Sequence, residues 1–367
     1  MRAVRLHGFG DLRVDELPDP DCGPHEVVID VSCVQLSVTE AMLIAGEDIA
    51  LHDGLAARLA RGPVQFGGHE FSGVVRQVGD EVTTVAVGDR VTAVETLACD
   101  GCRSCARGRE ENCLRPDVVG FTRPGALAER VAVPARAVVR LPDAVSFSAA
   151  AAVQPLAGAV HAHAALGVAP GETVLVIGGG VMGLLAVAVA RRGNAGRVLL
   201  ATRSPRKREL ARRFGADVVI DAADDLVAAT LDATDGCGAD VVIETAGGSP
   251  AVGLAGTATV ELAAAAAGRG GRIAIVSVLP AQATLPTGLM REKALTLVHP
   301  RSGAGYYARH TSVFEHALAL IERGDADVEA LVTHRVPGLA AVHEALAITV
   351  DKPRYGAINP AQIGLPA

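Results

Sequence analysis

Hydrophobic positions in the first 150 residues come in short runs, each soon broken by Gly, Pro or Asp. Glu26-Val27-Val28-Ile29-Asp30-Val31, Gly73-Val74-Val75 and Arg90-Val91-Thr92-Ala93-Val94 are examples. Short β-type runs at this spacing predict a compact, mostly antiparallel domain. The pattern then changes. An Ala-rich stretch from about Ser148 to Ala165 reads as a helix, ended by Gly167 and Pro170. After it strands alternate with helices: strand 173–177, helix 181–192, strand 197–201, helix 205–214 and strand 217–220, with later strands at 240–244 and 272–276. That rhythm predicts an α/β, doubly wound parallel sheet. The tail from about His299 carries one amphipathic helix, Val313 to Glu322, and the run Ala263 to Ala267 reads as helix. A segment from about Glu47 to Gly62 holds a further short helix, 53–60, and no tandem repeat interrupts the series.

Composition narrows the picture. A chain of 367 residues fits two domains with a substantial core. Aromatics are 3% and Trp is absent, so that core must be built from Ala, Val, Leu and Ile. A formal net charge of -7 argues against a nucleic-acid partner. The apolar helix candidate at 181–190 is far short of the roughly 20 residues of a membrane span, and Met1 to His7 lacks the apolar stretch of a secretory signal. A cytoplasmic protein acting on a small molecule is the expectation. Seven cysteines, four of them between residues 99 and 113, read as metal ligation rather than a disulfide framework.

Two motifs carry chemistry. Gly178-Gly179-Gly180-Val181-Met182-Gly183 matches G-x-G-x-x-G between a predicted strand and helix. Gly178 permits the tight turn, Gly180 lets the backbone approach a pyrophosphate, and Gly183 allows close helix–strand packing. The helix start at Val181 and Met182 then faces the anion with unpaired N–H groups. The second strand ends in Thr202-Arg203-Ser204-Pro205-Arg206, where an NAD site usually has an acid. A carboxylate would repel the 2′-phosphate of NADP, whereas an Arg fork binds it. Arg203 and Arg206 could also be a solvated helix start, but cations oppose the dipole there, so NADP(H) is the expected cofactor. Cys99, Cys102, Cys105 and Cys113 stand as C-x2-C-x2-C-x7-C, a spacing suited to one closed, structural tetrahedral Zn2+. Cys22, Cys33 and Cys237 show no partner pattern.

The cysteine lobe, Gly68-His69-Glu70-Phe71-Ser72-Gly73, Val87-Gly88-Asp89-Arg90-Val91, Gly178 to Gly183, Thr333-His334-Arg335 and Gly356-Ala357-Ile358 together resemble the zinc-containing alcohol dehydrogenases of the medium-chain dehydrogenase/reductase superfamily. The resemblance covers nearly the whole chain. It implies a barrel-like (GroES-like) catalytic domain at 1–155, with the zinc lobe at 95–115, a Rossmann cofactor domain at 156–299 and a return to the catalytic domain at 300–367. It also implies a cleft between domains and a homodimer or homotetramer. Catalytic zinc in the family is held by a Cys, the His of G-H-E and a third Cys, Asp or Glu. Those positions align with Ser37, His69 and Gln154. A hydroxyl and an amide replace two anionic ligands, so loss of the catalytic zinc is expected. Thr39 aligns with the family's hydroxyl relay, and Met42 replaces its relay His. Ser37, Thr39 and His69 are then candidate donors, with Glu40 and Glu70 orienting them or relaying protons. Thr39 and Glu40 can equally be a helix N-cap region. The implied activity is NADPH-dependent reduction of an activated C=C or C=N bond of an apolar small molecule. Alternatives are a zinc alcohol dehydrogenase with atypical ligands His69, Glu70 and Glu40, a redox-neutral isomerase or cyclase, and a cofactor-binding protein without turnover.

Overall fold

The computed structural model describes residues 1–249, 254–280, 282–301, 305–308 and 311–366. It forms two compact units: Met1–Gln154 with Gly303–Gly305 and Val328–Ala367, and Pro155–Ser302 with Tyr306–Asp327. Among the described residues no helix is long and apolar enough to cross a membrane.

The first unit opens with β1 (Arg2–Gly8), β2 (Asp11–Glu16) and β3 (Glu26–Gln35), then α1 (Val38–Ile44) and α2 (His52–Leu59). β4 (Val64–Gln65), β5 (Glu70–Val78), β6 (Arg90–Ala93), β7 (Thr96–Leu97), β8 (Asp117–Val118), β9 (Arg130–Pro134) and β10 (Val138–Arg140) follow. β3 is the centre of this unit. It pairs antiparallel with β5 on one side and β9 along its first half. Its length lets alternate residues, Val27, Ile29 and Val31, line a buried face. The Ala-rich stretch is not one helix: α3 (Phe147–Ala151), capped by Ser146, is followed after Ala152 by α4 (Val153–Leu166).

The second unit continues with β11 (Thr173–Ile177), α5 (Val181–Arg192), β12 (Arg197–Thr202), α6 (Pro205–Arg213), β13 (Val218–Asp221), α7 (Leu226–Asp232), β14 (Ala239–Glu244), α8 (Ala258–Ala266), β15 (Ala267–Ile275), α9 (Thr287–Lys293) and β16 (Thr296–Val298). The strands lie in the order β13-β12-β11-β14-β15-β16, all parallel. β11 and β12 are near-continuous apolar runs because helices cover both faces of such a sheet. Leu175, Leu199, Val242 and Ile273 are buried in its core beside Val260 and Ala263 of α8.

A short hairpin, β17 (Tyr306–Ala308) and β18 (Thr311–Ser312), leads into α10 (Val313–Glu322). By its contacts this segment groups with the second unit, which runs on to Asp327, whereas the expected return began at residue 300. The reason is packing. α10 buries Val313, Phe314, Ala317, Leu318 and Leu320, and Arg192 at the end of α5 holds Asp325 just beyond it at 3.3 Å. Residues 302–304, 309, 310 and 367 of that expected return lie outside the described residues. The first unit is completed by β19 (Arg335–Pro337), α11 (Val342–Val350), α12 (Lys352–Tyr355) and β20 (Gln362–Gly364). β20 pairs with the end of β3, placing Gln362 opposite Gln35.

Candidate active site

In the first unit, the chemistry gathers where α1 begins and β5 begins. Ser37 is the N-cap of α1. Its Oγ accepts from Glu40 N at 3.1 Å, and Glu40 Oε2 accepts from Ser37 N at 2.8 Å, a reciprocal capping box. The other oxygen of Glu40 accepts from Gly68 N (2.6 Å), His69 N (3.3 Å) and His69 Nδ1 (2.7 Å). Gly68 must be glycine. Its φ is +81°, and a Cβ there would lie 2.1 Å from Leu127 N. That close approach brings the following imidazole down onto Glu40.

His69 Nε2 stands 3.6 Å from Glu70 Oε1, and the ring packs against Phe121 with centroids 4.9 Å apart. Gln35 donates from Nε2 to the other oxygen of Glu70, while its own Oε1 accepts from Asn359 and, at 3.3 Å, from Gln362 Nε2. Gln362 is fixed in turn by Ser148, which donates to it from Oγ at 2.7 Å and accepts through its carbonyl at 2.9 Å. A chain of amides from β3, α3 and β20 therefore holds Glu70 in place. Gln154 does not face His69 with a free amide: its Nε2 donates to Glu95 Oε1 at 3.2 Å. Thr39 lies half-buried on the first turn of α1.

All four ionisable groups are buried, and their charges settle each other. Burial pushes the His69 imidazole toward the neutral form, but Glu40, and to a smaller extent Glu70 and Glu95, raise its pKa to about 9. Burial also opposes the charge of Glu40, yet the imidazolium and the hydrogen bonds from His69 and Ser37 hold it below the usual carboxylate range. For Glu70, burial dominates and raises the pKa to about 7; Glu95 is raised for the same reason. The resting centre is thus an imidazolium–carboxylate pair flanked by two reluctant acids.

Several donors that could have held a zinc ion beside His69 are engaged elsewhere. Ser37 Oγ is engaged as a helix cap, both oxygens of Glu40 are occupied by N–H groups, and Gln154 is committed to Glu95. Among the described residues, only Cys99, Cys102, Cys105 and Cys113 gather three or more ligand atoms, all within 4.8 Å of one another. Backbone N–H groups point at these sulfurs: Cys99 N and Arg115 N donate to Cys113 Sγ at 3.2 and 3.4 Å. Donors from the backbone, that of Leu114 first, hold the Cys102 thiol down to about 6. Thiolates met by amide donors fit tetrahedral zinc, with no position left for substrate.

In the second unit the Gly-rich turn has the expected shape. Gly178 has a φ of +112°, and a Cβ on Gly183 would lie 1.8 Å from Gly178 O. Gly180 is the N-cap of the 12-residue α5, with no side-chain capping hydrogen bond and, among the described residues, open space where a Cβ would stand. Val181 and Met182 follow as the first helical residues. Thr202 ends β12 and is buried, its Oγ1 2.6 Å from where a Gly179 Cβ would be. Arg203 is exposed and forms no ion pair among the described residues; Ser204 is the N-cap of α6, and exposed Arg206 lies in its first turn. No acidic residue stands in that turn. Burial, then the Arg203 charge, depress Lys207 in the same turn. The next residue, Arg208, is paired with Asp221.

Sequence reasoning missed Gln35, Glu95, Asn359 and Gln362. The available signal was polar side chains inside apolar strand patterns, such as Gln35 ending Val31-Ser32-Cys33-Val34-Gln35, which a buried network explains and a solvated face does not.

Residues 23–143 match the family described as alcohol dehydrogenase GroES-like domain, and residues 181–323 match zinc-binding dehydrogenase. An L-threonine 3-dehydrogenase of Rhizobium johnstonii is 32% identical over 89% of this chain and 88% of its own length. One of Pyrococcus abyssi is 31% identical over 95% and 94%. Among solved structures, a protein described as a zinc-binding dehydrogenase from Sinorhizobium meliloti 1021, bound to NADP, superposes with a TM-score of 0.84 at 28% identity, covering 99% of this chain and 98% of that one. Galactitol-1-phosphate dehydrogenase from Escherichia coli gives 0.82 at 26%, covering 100% and 99%. With both family domains matched in order and full-length relatives above 30% identity, the chain belongs to the zinc-containing alcohol dehydrogenase-like branch of the medium-chain dehydrogenase/reductase superfamily and is a dehydrogenase/reductase.

Proposed function

We propose that this chain is an NADP(H)-dependent oxidoreductase that keeps zinc in its cysteine lobe and works without a metal at His69. The observation that carries the reading is the double engagement of Glu40: one oxygen closes the capping box on Ser37, the other holds His69 Nδ1. A side chain built to fix an imidazolium supports acid chemistry rather than Lewis-acid chemistry.

When bound, NADPH supplies a hydride. Gly178, Gly180, Val181, Met182 and Gly183 would cradle its pyrophosphate, and Thr202, Arg203, Ser204 and Arg206 its 2′-phosphate. The Sinorhizobium structure bound to NADP supports this choice. Glu40 fixes the Nδ1–H, which leaves Nε2–H as the donor side of the imidazolium, with Glu70 beside it to resupply a proton. Without zinc to polarise a carbonyl, a contribution of several kcal/mol is missing. An already electron-poor acceptor, a conjugated C=C or a C=N bond of an apolar small molecule, suits the remaining groups. Small-molecule turnover in a cytoplasmic homo-oligomer is part of this reading.

A second reading is favoured by the relatives named L-threonine 3-dehydrogenase: oxidation of a hydroxyl by a zinc enzyme. Metal analysis separates the two. After removal of loosely held ions we expect one zinc per chain, lost in Cys102→Ser and kept in His69→Ala. Two zincs per chain, one of them lost in His69→Ala, would overturn the proposal.

A further inference from the structure

Of the three carboxylates buried around His69, Glu95 is the one that this mechanism leaves without a task. It stands between β6 and β7, where the chain leaves the sheet for the cysteine lobe, with its carbonyl held by Val119 N at 2.9 Å. The residue is 3% exposed. Oε1 accepts from Gln154 Nε2, whereas Oε2, equally buried, meets no donor among the described residues.

Leaving a buried acceptor unmade costs about 1–3 kcal/mol, more when it is charged. Folded proteins keep few such groups, and each asks for an explanation. Charge counting supplies one. Glu40, Glu70 and Glu95 share a single cation, His69. Glu40 is saturated by N–H donors, and Glu70 takes the amide of Gln35 and faces the imidazole. Glu95 is therefore the carboxyl whose ionisation is least compensated, and burial holds its pKa up. A carbonyl oxygen or an alkene brings no donor to it. A positively charged N–H brings both a donor and the missing charge.

We propose that Glu95 receives the positively charged nitrogen of the substrate, so that the chain acts on a protonated C=N bond or on the ammonium it becomes. This rests on the reading of the site as a metal-free oxidoreductase centre and narrows its two acceptor classes to one. The balance is simple. The hydride of NADPH forms a new C–H bond at the iminium carbon, and the C=N π pair moves onto nitrogen and cancels its charge. NADP+ and a neutral amine result, and the amine then takes a proton from the imidazolium or solvent. The carboxylate also keeps the imine protonated, the form that accepts hydride. Because the charge at nitrogen is consumed in the reaction, Glu95 acts more on binding than on the hydride step.

Two ring pairs test it: pyrrolidinium against cyclopentanol for binding to the NADP+-loaded protein by calorimetry at pH 7, and 1-pyrroline against cyclopentanone for NADPH oxidation. Pyrrolidinium is expected to bind at least about tenfold tighter than cyclopentanol, a difference of roughly 1.4 kcal/mol. Glu95→Gln should abolish that preference, leave cyclopentanol binding and the melting temperature unchanged, and raise KM for 1-pyrroline more than it lowers kcat. Equal or absent binding of the two ligands to the parent protein overturns the inference, as does a preference that survives Glu95→Gln. So does a second zinc equivalent that disappears in Glu95→Gln, since Oε2 would then be a metal ligand. A Glu95-dependent preference without NADPH oxidation would keep this inference and sink the proposed activity instead.

Discussion

At the scale of single residues, the site depends on how buried charges are matched. His69 has its pKa raised to about 9 from an ordinary 6.5, so its pairing stabilises the fold fully below pH 6.5 and that contribution is lost as pH rises through 9. Glu40 has the opposite sign: held below its usual range, it contributes above its unfolded value and ceases to as pH falls through its folded one. Unfolding followed against pH should show stability declining between pH 6.5 and 9, and Glu40→Gln should flatten that decline. An unchanged slope in the variant would remove Glu40 as the partner. Gly68→Ala meets a backbone atom at 2.1 Å in a left-handed conformation, and should cost more than about 2 kcal/mol by urea denaturation. In the cofactor unit, Arg203→Ala is expected to weaken NADPH binding at least about tenfold and leave NADH unchanged, because only the former carries the phosphate the fork would grip. Equal losses for both cofactors would reassign Arg203 to the helix surface.

At the scale of elements, the same residues hold structure and site together. α1 is only seven residues long, and Ser37 supplies its cap while Glu40 returns the bond and reaches back to β5. Ser37→Ala should therefore cost about 1 kcal/mol by denaturation and also disturb the acid titration of His69. An N-cap lost without any shift in that titration would separate the two roles. α5 illustrates a turn in which each glycine has a separate reason. Gly178 supplies the backbone conformation and Gly183 the close packing, whereas Gly180 leaves the helix start open. The alternation of β11 to β16 with helices was legible because a buried parallel strand must be apolar throughout and its crossover helix must be amphipathic. The break at Ala152 was not legible. Uninterrupted alanines suit helix on either side, and nothing in their periodicity marks the joint between α3 and α4.

At the scale of the whole molecule, the cysteine lobe is a local device with a local metal, and the dinucleotide sheet folds around a different core. Cys102→Ser should lose zinc and lower the melting temperature, yet leave NADPH affinity within about twofold, since no sulfur of the lobe belongs to the sheet unit; joint loss of both would contradict this. The sequence by itself determined what short-range pattern can determine. The strand–helix alternation, the four-thiolate spacing and the glycine turn are all written in neighbouring residues. Only the tertiary structure decided what those residues touch. Gln35 meets Asn359 and Gln362 from the far end of the chain, Gln154 turns to Glu95, and α10 stays with the sheet unit rather than the barrel. Hydrogen bonds in a buried centre join groups hundreds of residues apart, and their partners are set by strand pairing and burial, which no local period encodes.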